Sequence, residues 1–203
     1  MLVHILTVVA ACAYVVATGE ECPHDSTVPW EKLGDYGCVK AVLLEDAIWI
    51  REPHSLSSLC QFTDPRAKFP VWKNMEHYQL LSNFMKKHHL PRTWLGLKYG
   101  QNNVTVIDHP NTVCANKRIP WMPGEPNREG GMEGDMCLEM RSVKLGKDEF
   151  GRHDVNKPKV NDVPCGADYD YFYDYIGTEI IGAYSVCQID FFDRTNPDEI
   201  CQD

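Results

Sequence analysis

An α+β fold is predicted for this chain on three observations. Helical periodicity is confined to the first half, short apolar strand-like runs are scattered through the second, and no strand–helix–strand unit repeats. With 203 residues and ordinary globular composition, the chain is sized for one substantial domain and is neither disordered nor collagen-like.

Residues 1–17 carry no Lys, Arg, Asp or Glu, and 5–17 is an apolar or small-residue run interrupted by Thr7. That run is too short to span a bilayer, which takes about 20 apolar residues. It ends in the small residues Val15, Ala17 and Gly19, followed by Glu20 and Glu21, so residues 1–19 read as a secretory signal peptide. No later run is long and apolar enough to cross a membrane, so a secreted, extracellular protein is expected. The mature part divides into a domain over 20–190 and a C-terminal tail over 191–203.

Within the domain, residues 22–38 hold Pro, Asp and Gly turn signals with Trp30 and Tyr36, as a small hairpin would, and 39–49 is strand-like. The pattern turns helical around 56–60 and again over 72–89, where Met75, Tyr78, Leu81 and Met85 recur at three- and four-residue steps before Pro91. Trp94-Leu95-Gly96-Leu97 reads as a short buried strand. Residues 98–128 are dense in Gly, Pro, Asn and Asp and read as one long loop; a loop of that length in a compact domain is usually functional. Three short strands are expected at 137–140, 160–163 and 184–189.

Loss of Cys12 with the signal leaves an even set: Cys22, Cys38, Cys60, Cys114, Cys137, Cys165, Cys187 and Cys201. An even number behind a signal peptide implies disulfides. There is no CxxC pair and no zinc-like Cys–His spacing. Asn103-Val104-Thr105 is an N-glycosylation sequon. The net charge of −9 argues against a nucleic-acid partner, which would select clustered Lys and Arg. His88, His89, His109 and His153 are scattered, and hydrolase, phosphate-loop and dinucleotide fingerprints are absent, so no catalytic residues are assigned and an enzyme is not expected.

The informative segments are Trp121-Met122-Pro123-Gly124-Glu125-Pro126-Asn127, then Glu133 and Cys137, and later Asn161-Asp162-Val163-Pro164-Cys165. Ca2+ takes about 6–8 oxygen ligands. Glu125, Asn127, Glu133, Asn161 and Asp162 offer three carboxylates and two amides. A cis bond before Pro126 would let the side chains on either side of it face one ion. The same carboxylates accept from, and the same amides donate to, two neighbouring sugar hydroxyls that fill the remaining coordination positions.

These segments, together with Trp94-Leu95-Gly96-Leu97 and the cysteine that follows each of them, resemble the C-type lectin-like domain family over roughly residues 22–189. The resemblance implies two helices, two small antiparallel sheets and a long calcium-binding loop region, braced by Cys22–Cys38, Cys60–Cys187 and Cys137–Cys165. It implies that Glu125, Asn127, Glu133, Asn161 and Asp162 serve as both metal and sugar ligands, with mannose-type glycans as partners and innate-immune recognition as the setting. The alternative is a lectin-like domain that binds a protein or other non-sugar ligand without calcium.

The chain departs from the family pattern in several places. Val160 stands where Trp is usual, which should loosen that strand. Glu133 lies further from Cys137 than usual. Arg128 stands where an auxiliary calcium site would need an oxygen, so that site is expected to be absent or altered. Residues 168–175, rich in Tyr and Asp, form an insertion read as an exposed hairpin or an added binding surface. Cys114 and Cys201 have no family counterparts; they pair with each other, the preferred reading, or join two chains in a disulfide-linked oligomer, beside which a non-covalent one stays open.

Overall fold

The computed structural model describes residues 21–24, 28–43, 60–88, 90, 92–101, 103–115, 117–127, 136–141, 158–165 and 184–202. The signal-peptide expectation, Cys12, Arg128, Glu133, His89, His153 and the 168–175 insertion lie outside these residues, as does the helix expected at 56–60 except Cys60, which opens a helical turn over 60–63.

Two antiparallel sheets organise the chain. In the smaller, β1 (Glu31–Lys32) pairs with β2 (Gly37–Leu43), which pairs with β8 (Tyr184–Asp190). The hairpin turn closes through Leu33 N–H to Gly37 O at 2.7 Å and Tyr36 N–H to Leu33 O at 3.0 Å. Gly37 has φ +145°, and a Cβ there would sit 2.1 Å from Ile189 O, so only glycine lets β2 lie this close to β8. The larger sheet has the order β5-β4-β3-β6-β7, from β3 (Arg92–Gly100), β4 (Asn103–Val106), β5 (His109–Ala115), β6 (Met136–Arg141) and β7 (Lys159–Pro164). β7 is an edge strand.

The long loop expected over 98–128 is corrected: β4 and β5 form a hairpin inside it, and of the described residues after β5, 117–127 belong to no named strand. Val104 and Val106 are buried and alternate with half-buried Asn103 and Thr105, a period-two pattern that the turn-forming residues around it obscure. Asn103, the sequon residue, opens β4 and is half-buried.

Helix α1 (Met75–Lys87) begins at Asn74, whose side chain accepts from His77 N–H at 3.0 Å; Glu76 in the first turn and Lys86 and Lys87 in the last suit the helix dipole. It buries Tyr78, Leu81, Phe84 and Met85, and the Tyr78 hydroxyl donates to Pro158 O. A single-turn helix α2 (Pro197–Ile200) in the tail follows the cap Asn196.

The core has two parts. One packs α1 against Leu95, Leu97, Leu138, Met140 and Val160 of the larger sheet. The other gathers Trp30, Phe69, Trp94 and Ile189 around Cys38, Cys60, Cys137 and Cys187. Gly96 sits where the two meet: an added Cβ would approach Phe69 O at 3.0 Å and the Arg194 guanidinium at 3.1 Å. Arg194 is itself buried, donating to Phe69 O at 2.8 Å, to both Asp190 oxygens and to Asp108 at 3.2 Å. That ties the β4–β5 turn to the end of β8.

Four disulfides connect Cys22–Cys38, Cys60–Cys187, Cys114–Cys201 and Cys137–Cys165. The first, second and fourth are the pairs the family resemblance implies. The third settles the open alternative for the remaining two cysteines in favour of an intrachain bond between β5 and the tail. Replacing both cysteines, in Cys114→Ser with Cys201→Ser, should lower unfolding stability by about 2–5 kcal/mol without changing the oligomeric state. Chemical denaturation and light scattering measure the two effects.

His77, on the buried face of α1, is fully buried with neither ring nitrogen hydrogen-bonded. Its ring stacks on Tyr36 at 4.2 Å and meets Phe192 edge-on at 5.7 Å. Burial, reinforced by the charges of Arg194, Lys73 and Lys117, lowers its pKa from 6.5 to about 3. Below about pH 6.5 the unfolded chain therefore takes up a proton that the folded chain refuses. The contribution of neutral His77 is complete above that pH and falls by about 1.4 kcal/mol per unit toward pH 3. His77→Phe keeps the ring packing, so its stability should fall less between pH 7.5 and 4.5 than that of the wild type in denaturant titrations.

Candidate functional site

The irregular segment after β5 is steered by backbone pairing to the exposed edge of β7. Val160 N–H donates to Pro120 O at 3.1 Å and Met122 N–H to Val160 O at 2.8 Å, a parallel bridge centred on Trp121 and Val160. Trp121 packs edge-on against Tyr99 of β3 at 5.1 Å. Val160, smaller than the family's Trp, is fully buried in this arrangement. A turn then closes through Glu125 N–H to Met122 O at 3.0 Å, with Gly124 at φ +90°, and the Glu125–Pro126 bond is cis.

Two residues beyond Val160 along β7 lies Asp162, fully buried. The Asn127 backbone N–H is shared between two carboxylates, donating to Glu125 Oε2 at 2.9 Å and to Asp162 Oδ1 at 3.2 Å. The Asn127 side-chain Nδ2 also donates to Glu125, at Oε1, 3.1 Å away. Glu125, Asn127 and Asp162 thus meet at one place, although 35 residues separate the last two.

Asn161 is oriented differently. Asn161 stands opposite Glu139 in the β6–β7 register. Its Nδ2 donates to Glu139 Oε1 at 3.1 Å. Glu139 is almost completely buried and makes ion pairs with Arg92 at 3.3 Å and Arg141 at 3.5 Å. Of the five expected ligand residues, the structure therefore brings three together and turns the amide nitrogen of the fourth toward an inner strand; the fifth, Glu133, is outside the described residues. Sequence reasoning missed Glu139. The visible signal was a lone carboxylate in the otherwise apolar run Met136-Cys137-Leu138-Glu139-Met140.

The donor set fits a hard cation in its chemistry. Two carboxylates held on a single N–H repel each other, and an ion between or beside them removes that cost. Each amide spends its nitrogen on a carboxylate, leaving its carbonyl oxygen as the end not used in that bond. Among the described residues no group of three His, Cys, Asp or Glu gathers at one point, so Glu125 and Asp162 provide two acidic groups and a third would have to come from elsewhere in the chain.

The described elements agree with those that the C-type lectin-like resemblance implies. They are the two antiparallel sheets and the three disulfides at the implied positions. The EPNH mutant of CEL-I is similar in structure, 19% identical over 85% of this chain and 99% of that one, at a TM-score of 0.47. Human lithostathine is 14% identical over 89% and 99% of the two chains, at 0.48. No protein-family model matches the sequence, and no curated protein sequence matches it. No helix among the described residues is long and apolar enough to cross a membrane.

Removing one acceptor of the shared N–H tests this local geometry. Asp162→Ala leaves Asn127 N–H with Glu125 alone, a loss of about 1 kcal/mol. Its amide hydrogen exchange should quicken about fivefold, read by NMR, while α1 amides keep their wild-type rates.

Proposed function

We propose that this chain is a secreted, non-catalytic lectin that binds mannose-type sugars through calcium. The observation supporting it is the shared Asn127 N–H, which sets the half-buried Glu125 of the loop beside the buried Asp162 of β7. Glu125, Asn127 and Asp162, with Glu133 and the oxygen of Asn161, would hold the ion. When bound, calcium supplies open coordination positions for two vicinal hydroxyls.

The residues themselves do the selecting. The Glu125 carboxylate accepts a hydrogen bond from one hydroxyl, and the Asn127 amide donates to the other, so hydroxyl stereochemistry is read by the order of acceptor and donor along the loop. The bridge to Val160 fixes the loop against β7, so ordering it costs little at the moment of binding. The acidic balance of the whole chain favours cations in the surrounding solution.

Thermal melting with calcium and with chelator, followed by chromatography on mannose resin, tests the proposal. With calcium at about one hundred times its Kd the folded state should gain about 2.7 kcal/mol, and chelator should elute the protein from the resin. Asp162→Asn should lose both effects. A melt indifferent to calcium, with no retention on the resin, overturns the proposal in favour of a calcium-independent non-sugar ligand.

A further inference from the structure

We infer that Glu139 is a positioning residue that sets which end of the Asn161 amide faces the proposed calcium site; the inference rests on the calcium reading above. A carboxamide has one end that can ligate a hard cation and one that repels it. Rotation by half a turn exchanges them at little steric cost, so an asparagine ligand needs a partner that recognises nitrogen from oxygen. Glu139 provides one. It lies directly across from Asn161 in the β6–β7 register and accepts from its Nδ2 at 3.1 Å. The two groups are almost fully buried, so water does not compete for the amide.

Two arginines flank the Glu139 carboxyl group. Arg92 on β3 pairs with one carboxylate oxygen and Arg141 on β6 with the other. Glu139 Oε1 accepts from the NH2 end of Asn161, which leaves the amide oxygen at the other end of the group. The same device recurs at Asn127, whose Nδ2 is held by Glu125. In both places a carboxylate takes the nitrogen and leaves the oxygen as the remaining coordinating end. Partners that orient ligand side chains in this way typically change metal affinity by about 10–100-fold when removed.

Calcium titration by calorimetry at 20 °C on the full mature chain tests this. Glu139→Gln can face Asn161 with its own NH2, so its calcium affinity should drop at least about tenfold. Asn161→Asp has two equivalent oxygens and no orientation to lose. In that background Glu139→Gln should cost no further affinity, and the double variant should bind at least as well as Glu139→Gln alone. A structural role would lower the melting temperature in chelator without this dependence on residue 161. Should Glu139→Gln fail to fold, Glu139→Asp replaces it, keeping the charge but shortening the reach, with a loss in the same direction. Wild-type affinity in the Glu139 variant, or an equal loss in both backgrounds, overturns the inference while leaving the calcium reading intact. No calcium binding by the wild type overturns both.

Discussion

The candidate site depends on two backbone hydrogen bonds to one residue. Val160 accepts from Met122 and donates to Pro120, and this converts an irregular, proline-interrupted stretch into an extra half-strand along the edge of the larger sheet. Edge strands expose unpaired backbone groups, which proteins normally cover or blunt. Here the cover is the chain's own loop. Once residues 120–122 are in register with Val160, Asn127 arrives beside Asp162, and two carboxylates distant in sequence share a single donor. The smaller side chain at 160 does not disturb this, because the pairing is made by the backbone.

Much of the fold was readable because disulfides, apolar periodicity and turn residues are local signals. Helix α1 falls inside the expected 72–89 segment, its start moved to Met75 by the Asn74 cap. The strands expected at 137–140, 160–163 and 184–189 are each present and one to two residues longer. The β4–β5 hairpin was hidden because Asn, Thr, Asp, His and Pro interleave with its valines, and a half-buried strand tolerates them on its outer face.

The site was legible in type and less so in arrangement. Glu125, Asn127 and Asp162 could be picked out by oxygen chemistry, but the direction of Asn161 is set by the residue across from it, which no local spacing reveals. His77 escaped notice for a related reason: a histidine between polar helix residues looks solvent-facing until Tyr36 and Phe192, from opposite ends of the domain, enclose it. Partners brought together by strand register or by chain closure lie beyond what a linear pattern encodes.

The Cys114–Cys201 bond has a consequence for how such a molecule would act on a surface. All eight cysteines among the described residues are consumed within the chain. Copies that gather at a many-branched ligand through these parts of the chain therefore stay together only by reversible contacts. Under the proposed function, such gathering would respond to dilution rather than to reduction.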